Sequence, residues 1–238
     1  MSTEANNKTS ARDGRPTRVR IFDLISRVLP SAFFLIIVIA NAINLYHLLN
    51  GRPGVGDAPE GWNLAAAVLA KASTTCFLAL MSILFLIRIE PIKKSSGIWP
   101  RVTAIAGTFC LYFVTLFPRA NLSLNQTLLS AFISIIGTAL SIFTLAHLGR
   151  SFSLMAEARR LVTSGPYRFV RHPLYLFETM ASFGILLQFL SFYTVLVFLA
   201  YMLLQLQRMN NEEAILERVF PEYREYRSRT AKLIPGVY

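Results

Sequence analysis

Residues 30–49 read PSAFFLIIVIANAINLYHLL, and this run decides the fold class because it is long enough to cross a bilayer as one helix. Roughly 20 mostly apolar residues are needed to cross about 30 Å of hydrocarbon at 1.5 Å per residue. Comparable runs predict further spanning helices at 63–87, 98–117 and 127–148. Two shorter runs, 174–190 and 192–207, lie close together and predict an antiparallel helical hairpin that spans the membrane or dips into it.

The composition of the 238 residues excludes the water-soluble globular class and disorder. The chain is 54% hydrophobic and only 16% charged, whereas an ordinary soluble domain is roughly 25% charged. A soluble protein of this size has too little interior to hide so much apolar surface, and a disordered chain has low hydrophobicity. We therefore expect an all-α integral membrane protein of about six helices that includes a C-terminal helical hairpin.

The basic residues indicate how the chain is oriented. The chain carries 24 Lys and Arg against 13 Asp and Glu, for a net charge of +11. Of the 24, 21 lie in four segments on one side of the predicted helices: up to residue 29, 88–101, 150–171 and 208–232. This positive-inside pattern predicts that both termini are cytoplasmic, at the inner membrane of a bacterium or the endoplasmic reticulum of a eukaryote. Because the charge is spread over alternate loops, the expected partner is the bilayer and not nucleic acid.

The chain divides into three parts. Residues 1–20 are polar and basic, which predicts a disordered tail, and residues 21–149 hold the first four helices. Residues 150–238 contain the hairpin and two flanking polar segments in which aromatic and ionisable residues are concentrated. Nothing in the sequence indicates the oligomeric state. No metal-ligand cluster is apparent, so no metal is predicted.

The first polar segment, residues 161–178, reads LVTSGPYRFVRHPLYLFE. Pro173 suits the first position of a helix, where its missing N–H costs nothing. The free N–H groups of that helix start, together with Arg171 and His172, form a potential site for a carboxylate or phosphate. Tyr175 and Glu178 lie three apart and share a helix face. An Arg-His-Pro sequence before an apolar run is equally typical of a helix that starts at a membrane interface, so spacing alone leaves both interpretations open.

The second polar segment, residues 207–226, reads QRMNNEEAILERVFPEYREY and predicts an amphipathic continuation of the second hairpin helix. Arg208 and Glu212 are four residues apart and can face each other. Acidic side chains beside the hydrocarbon are costly unless they are paired or bind a cation. Taken alone, this segment fits a solvated helix face at least as well as a site.

The two segments together resemble the isoprenylcysteine carboxyl methyltransferase family. The resemblance rests on LVTSGPYxxVRHPxY, a hairpin, RxxxEExxL and a later YxxY, and it covers the chain from about residue 150 onward. The related phospholipid methyltransferases share much of this pattern. The resemblance implies that 150–238 is the catalytic part, with S-adenosylmethionine held in a cytoplasmic site between the two segments and a lipophilic acceptor entering from the bilayer.

The resemblance also implies roles for seven residues. The cofactor-binding positions are Tyr167, Arg171, His172, Tyr175 and Glu213. The positions at the acceptor, which we take as catalytic, are Arg208 and Glu212. One position departs from the pattern, because the family commonly has glycine where this chain has Phe177. A bulky ring at that position leaves the identity of the acceptor open.

The chemistry of methyl transfer is consistent with these residue types. Displacement at a sulfonium depends mostly on positioning the reacting atoms within about 3–3.5 Å. The methionine carboxylate of the cofactor suits Arg171 and His172, and its ammonium suits Glu213. A carboxylate acceptor, as in a prenylcysteine-like compound, needs only orientation by Arg208. An amine acceptor, as in a phospholipid, must first lose a proton, which would make Glu212 a general base.

Two other classes remain compatible with the sequence. A membrane reductase of the sterol-reductase type would bind NADPH in a comparable place. Its additional phosphates would meet the acidic pair Glu212 and Glu213, which favours the sulfonium cofactor. The other class is a non-catalytic lipid-binding scaffold that retains the fold.

Overall fold

The computed structural model describes residues 17–50 and 61–236 and is predominantly helical. The helices are α1 Thr17–Leu49, α2 Gly61–Ile87, α3 Trp99–Phe109, α4 Leu124–Leu148, α5 Pro173–Gln188, α6 Phe192–Val219 and α7 Tyr223–Arg229. Two short strands, β1 Lys93–Lys94 and β2 Glu157–Ala158, pair in antiparallel fashion. The predicted tail lies outside the described residues except for 17–20, which belong to α1 and not to a disordered segment.

Four helices of the described chain are long and apolar enough to cross a membrane. Their apolar stretches are Ser26–Leu49, Leu64–Ile87, Leu124–Ser151 and Phe192–Val219. These confirm an all-α integral membrane protein and three of the four spans predicted between residues 30 and 148. α6 also confirms that the second hairpin helix continues without a break into the polar C-terminal segment.

The predicted span at 98–117 is not a single α-helix. α3 ends at Phe109, and Cys110–Leu116 continues as a 3-10 helix that packs against α6. Because a 3-10 helix rises about 2.0 Å per residue, the two pieces together still reach about 30 Å. Gly107, near the junction, has a weak helix propensity. Because glycine has no side chain, Arg208 can pack against this position. A Cβ placed on residue 107 would lie only 2.7 Å from the Cδ of Arg208.

The two hairpin helices are joined by residues 189–191 but do not pack closely on each other. α5 packs mainly against α4, whereas α6 packs against α3 and the 3-10 helix. Small residues cause this choice of partner, because they let two helix backbones approach closely in a membrane. Ser130 Oγ donates to the carbonyl of Gly184 at 3.0 Å, and a Cβ on Gly137 would collide with the backbone of Ala181. The predicted hairpin is therefore open, with space between its two helices.

The polar loops meet at one end of the helices, which we call the polar end. The loop after α2 joins the loop after α4 through the β1–β2 pair and through the N–H of Ile89, which donates to Arg150 O at 2.9 Å. The loop before α5 joins the C-terminal segment through a parallel bridge between Val170 and Ala231. These are the segments that hold most of the basic residues, so the charge pattern and the fold agree on which loops share a side.

Candidate active site

One cavity of about 390 Å³ opens in the space between α5 and α6 and extends into the helices. Ligand-binding cavities are typically about 300–1,000 Å³. Six of the seven predicted site residues line it: Tyr167, Arg171, His172, Tyr175, Arg208 and Glu212. The seventh, Glu213, contacts two of these six. The structure therefore brings together residues from both polar segments, which lie on opposite sides of the hairpin in the sequence.

Arg171 and His172 share one carboxylate oxygen of Glu213. Arg171 Nε donates to Glu213 Oε1 at 2.8 Å, and His172 Nε2 lies 3.0 Å from the same oxygen. His172 and Glu213 are buried, with 4% and 6% of their surfaces exposed. Buried charges are costly unless they are paired and hydrogen-bonded, and this cluster meets that condition. The cluster connects the two residues directly before α5 to the polar C-terminal part of α6.

The C-terminal segment holds the loop that carries Arg171 and His172. The backbone N–H of Arg171 donates to Ala231 O at 2.8 Å, and that of His172 donates to Lys232 O at 3.1 Å. The Arg171 guanidinium also donates to the carbonyls of Thr230 and Arg227. Both the side chain and the backbone at this position are thus fixed by Arg227 in α7 and by residues 230–232, which follow that helix.

Three tyrosines form an aromatic wall at the polar end. Tyr226 Oη donates to the carbonyl of Tyr167 at 2.6 Å, and the rings of Tyr223 and Tyr226 lie 5.9 Å apart. Burial raises the pKa of Tyr167 and Tyr223 above the ordinary tyrosine value, and raises the pKa of Tyr226 to about 12. All three therefore remain neutral donors at physiological pH. The hydroxyl of Tyr223, a residue that also lines the cavity, is buried and has no hydrogen-bond partner within residues 17–50 and 61–236.

Arg208 lines the cavity next to Tyr175, whose hydroxyl in turn contacts Glu212. Its guanidinium sits 5.0 Å from the centre of the Tyr175 ring, and Tyr175 Oη donates to Glu212 Oε1. Arg208 Nη1 donates to Gln205 Oε1 at 2.8 Å and Nη2 to Leu154 O at 3.5 Å. Arg208 is 8% exposed, and its Nε has no hydrogen-bond partner in the part of the chain that the structure describes. Arg208 and Glu212 therefore share a cavity wall, as their four-residue spacing predicted, and Tyr175 lies between them.

Tyr201 and Gln205, which were not predicted from the sequence, extend this polar wall along α6. Gln205 Nε2 donates to Tyr201 Oη at 2.9 Å, and both residues line the cavity. The signal was present, since residues 201, 205, 208 and 212 follow the three- and four-residue spacing of one helix face. Glu178, noted only for sharing a face with Tyr175, lines the cavity opposite them.

A second unpredicted pair lies in the loop after α4. Arg159 Nη2 and Glu157 Oε2 are 2.5 Å apart, and Ser153 Oγ donates to the same carboxylate oxygen at 2.8 Å. All three residues line the cavity, and Arg159 is 4% exposed. Because they lie two and four residues apart in a loop, they follow no helical spacing, and nothing in their pattern marks them as site residues.

Away from the polar end, the cavity wall is apolar. This part is lined by residues from α1, α2, the 3-10 helix and α5, among them Phe34, Phe77, Leu78, Met81, Val114, Ile185 and Leu186. Phe177 is not among the lining residues of the described chain, so its ring does not narrow this cavity. The site is polar and charged at one end and apolar at the other.

The fold and the cavity define a class: a helical membrane protein with an amphipathic internal site. Residues 129–218 match the isoprenylcysteine carboxyl methyltransferase (ICMT) family, which confirms the resemblance found in the sequence. The matched range begins in α4 and ends near the end of α6, so it includes α5 and the positions from Tyr167 to Glu213.

Two curated relatives carry names that refer to metal resistance. The chain is 32% identical over 98 residues to the nickel-cobalt-cadmium resistance protein NccN of Alcaligenes xylosoxydans xylosoxydans. It is 36% identical over 98 residues to the cobalt-zinc-cadmium resistance protein CzcN of Cupriavidus metallidurans. Each match covers 39% of this chain, and 46% and 45% of the respective relatives, which is less than half of their length. Within residues 17–50 and 61–236, no group of three His, Cys, Asp or Glu side chains is placed to hold a metal ion.

Proposed function

We propose that the protein is an S-adenosylmethionine-dependent methyltransferase that acts on a lipophilic acceptor. The observation that carries the proposal is the single cavity in which six of the seven predicted site residues meet. The family match over residues 129–218 supports the same reaction class. The names of the relatives refer to metal resistance and state no reaction, so they do not enter the proposal.

The residues at the polar end fit the cofactor. The Tyr167 ring offers a face for stacking an adenine, and Glu212 places a carboxylate near the middle of the cavity, where it suits a sulfonium cation. Arg208 Nε and Tyr223 Oη, which are both buried, have no hydrogen-bond partner among the described residues. When bound, the cofactor supplies an electrophilic methyl group for an in-line displacement.

The cluster of Arg171, His172 and Glu213 has a positioning role in this proposal. Glu213 forms a hydrogen bond with each of the two side chains and so fixes their orientation. Arg171 and His172 then present their remaining N–H donors at the cavity wall. A fixed donor costs no reorganisation when a carboxylate binds. Glu213 would therefore support cofactor binding by holding these two side chains in place, and not only through a direct contact with the cofactor ammonium.

Arg208 and Glu212 lie between the polar and the apolar parts of the cavity. A lipophilic acceptor whose tail occupies the apolar part would present its reacting group to these two side chains. Arg208 is held by Gln205, Leu154 and the Tyr175 ring, so its orientation is preset. We assign the two residues to orienting the acceptor.

The proposal is tested by methyl transfer in purified form. The protein in detergent is incubated with S-adenosylmethionine labelled in its methyl group and with total membrane lipid, and label is measured in the organic phase. We expect incorporation that is lost in Arg208→Lys and retained in Glu217→Gln, a surface substitution on the same helix. Equal incorporation with the Arg208 variant and the wild type would contradict the assigned role. Oxidation of NADPH by the same sample would favour the reductase.

A further inference from the structure

We propose that His147 is a positioning residue for cofactor binding, because it fixes the turn that carries Tyr167. The inference rests on the proposed function, in which the Tyr167 ring offers a face to the adenine of the cofactor. His147 belongs to the last turn of α4, outside both polar segments, and it is not among the residues of the described chain that line the cavity. Its effect on a ligand would therefore be exerted through Tyr167.

His147 contacts the turn before α5 at two adjacent residues. Its Nε2 lies 3.2 Å from Ser164 Oγ, which is within hydrogen-bond distance. Its ring also packs against the backbone of Gly165, where an added Cβ would lie only 2.5 Å from Nε2. Gly165 has a φ of +58°, a conformation that residues with a Cβ rarely adopt. The turn therefore requires glycine at this position both for its backbone angle and for the close approach of His147.

Tyr167 directly follows this contact in the chain. Gly165–Arg168 form a 3-10 turn that packs against α4, and the N–H of Tyr167 donates to Ser164 O at 3.2 Å. Pro166 has a fixed φ and removes further backbone freedom. On the other side of the turn, Tyr226 Oη donates to the carbonyl of Tyr167 at 2.6 Å. The backbone that carries the Tyr167 ring is thus held from α4 on one side and from α7 on the other.

The exposure of these residues separates positioning from stability. His147 and Ser164 are exposed, whereas Tyr167 is buried and lines the cavity. Exposed polar groups bond to water when they lose a protein partner, so loss of this hydrogen bond has a small effect on stability. It still widens the range of orientations open to the Tyr167 ring, and the entropy lost on ordering the ring then weakens ligand binding. Because an aromatic stacking contact contributes about fivefold to affinity, we expect an effect of that size.

The first test compares two ligands that share one end. S-adenosylhomocysteine carries the adenosine and the amino-acid end, and 5′-methylthioadenosine carries the adenosine end alone. By calorimetry, we expect His147→Ala to weaken binding of both ligands by the same factor, about fivefold. His172→Ala should weaken binding of S-adenosylhomocysteine alone. A role of His147 in stability only would not produce this division between the ligands.

Two further variants complete the comparison. His147→Gln keeps an amide near the position of Nε2 and should restore most of the affinity. His47→Ala, at a histidine in the last turn of α1, is the matched control and should bind both ligands like the wild type. Unchanged affinity of His147→Ala for either ligand overturns the proposal. If the wild type binds neither ligand, the methyltransferase function itself is contradicted.

The second test uses the collision between His147 and a side chain at position 165. Gly165→Ala places a methyl group against the imidazole, so we expect the affinity for S-adenosylhomocysteine to fall by about fivefold or more. In His147→Ala that space is open, and adding Gly165→Ala should lower the affinity by about twofold or less. Equal losses in the two backgrounds overturn the proposal. This comparison uses S-adenosylhomocysteine alone, so it decides the case if 5′-methylthioadenosine binds too weakly to measure. Melting curves in detergent verify that each variant is folded at the assay temperature.

Discussion

The side chains of Arg171 and His172 converge on a single oxygen of Glu213, at 2.8 and 3.0 Å. Arg171 and His172 precede α5, and Glu213 lies on α6, so this contact joins the two helices that diverge around the cavity. A second bond, from Tyr175 Oη to Glu212 Oε1, joins the same two helices. The carboxylates of Glu213 and Glu212 therefore both connect α5 and its preceding loop to α6 at the polar end.

Replacing Glu213 with Ala is expected to destabilise the protein and weaken cofactor binding together. The substitution leaves two buried side chains without their shared partner, and breaking a buried ion pair costs about 3–5 kcal/mol. Thermal unfolding in detergent and calorimetry with S-adenosylhomocysteine measure the two effects. Glu217→Ala, whose carboxylate pairs with exposed arginines, should change neither. A Glu213→Ala protein that melts and binds like wild type would refute the positioning role.

Arg208→Lys is expected to separate turnover from binding. Lysine keeps the positive charge between Glu178 and Glu212 but loses the planar fork that Gln205 and Leu154 hold. Misplacing the acceptor by about 1 Å reduces the rate by about 100-fold. We expect a fall of that size in kcat, with S-adenosylhomocysteine affinity close to the wild-type value. Affinity that falls as far as kcat would place Arg208 at the cofactor instead.

Gly184→Leu is expected to disrupt the packing of α4 on α5. A side chain at this position would collide with Ser134 and with the backbone at Ser130, and overpacking costs about 1–3 kcal/mol or more. Ala200→Leu, at an exposed position of α6, provides the matched control. Thermal unfolding of both variants measures the difference. If the two melted alike, the small-residue contact would not determine the position of α5.

The burial of the Tyr226 hydroxyl, which donates to the Tyr167 carbonyl, predicts a pH dependence of stability. Burial raises the pKa of Tyr226 to about 12, from an ordinary value of 10.0, so the folded protein holds this proton more tightly than the unfolded chain does. The corresponding stabilisation is complete below pH 10 and is lost as the pH rises towards 12.

Tyr226→Phe removes both the bond and the titrating group. It is expected to lower stability by about 1 kcal/mol at pH 7 and to flatten the decline above pH 10. Melting curves of wild type and variant at pH 7 and pH 11 test this. A variant that declines as steeply as wild type would show that another group is responsible.

Much of the membrane fold was predictable because length and hydropathy determine which segments can cross a bilayer. The runs that became α1, α2 and α4 needed no knowledge of their neighbours. The 3-10 continuation after Phe109 was not predictable, because length and hydropathy do not distinguish a 3-10 helix from an α-helix. The packing of α5 on α4 was likewise not predictable. It depends on small residues in both helices, and their spacing can be interpreted only when the two helices are known to be neighbours.

The candidate site was partly predictable for a similar reason. Residues within one segment, such as Arg208 and Glu212, are related by helical spacing, and the ordered motifs pointed to both segments. The shared contact of Arg171 and His172 with Glu213 is a tertiary relationship across more than 40 residues, which spacing does not encode. The place of Glu178 in the cavity depends in the same way on the divergence of α5 from α6.

The most direct test of the account is calorimetric binding of S-adenosylhomocysteine and of NADPH to the purified protein in detergent. We predict that S-adenosylhomocysteine binds and that its affinity falls in Glu213→Ala and His172→Ala but not in Glu217→Ala. NADPH should not bind. Binding of NADPH alone would contradict the account in favour of a reductase, and binding of neither ligand would contradict it in favour of a lipid-binding scaffold.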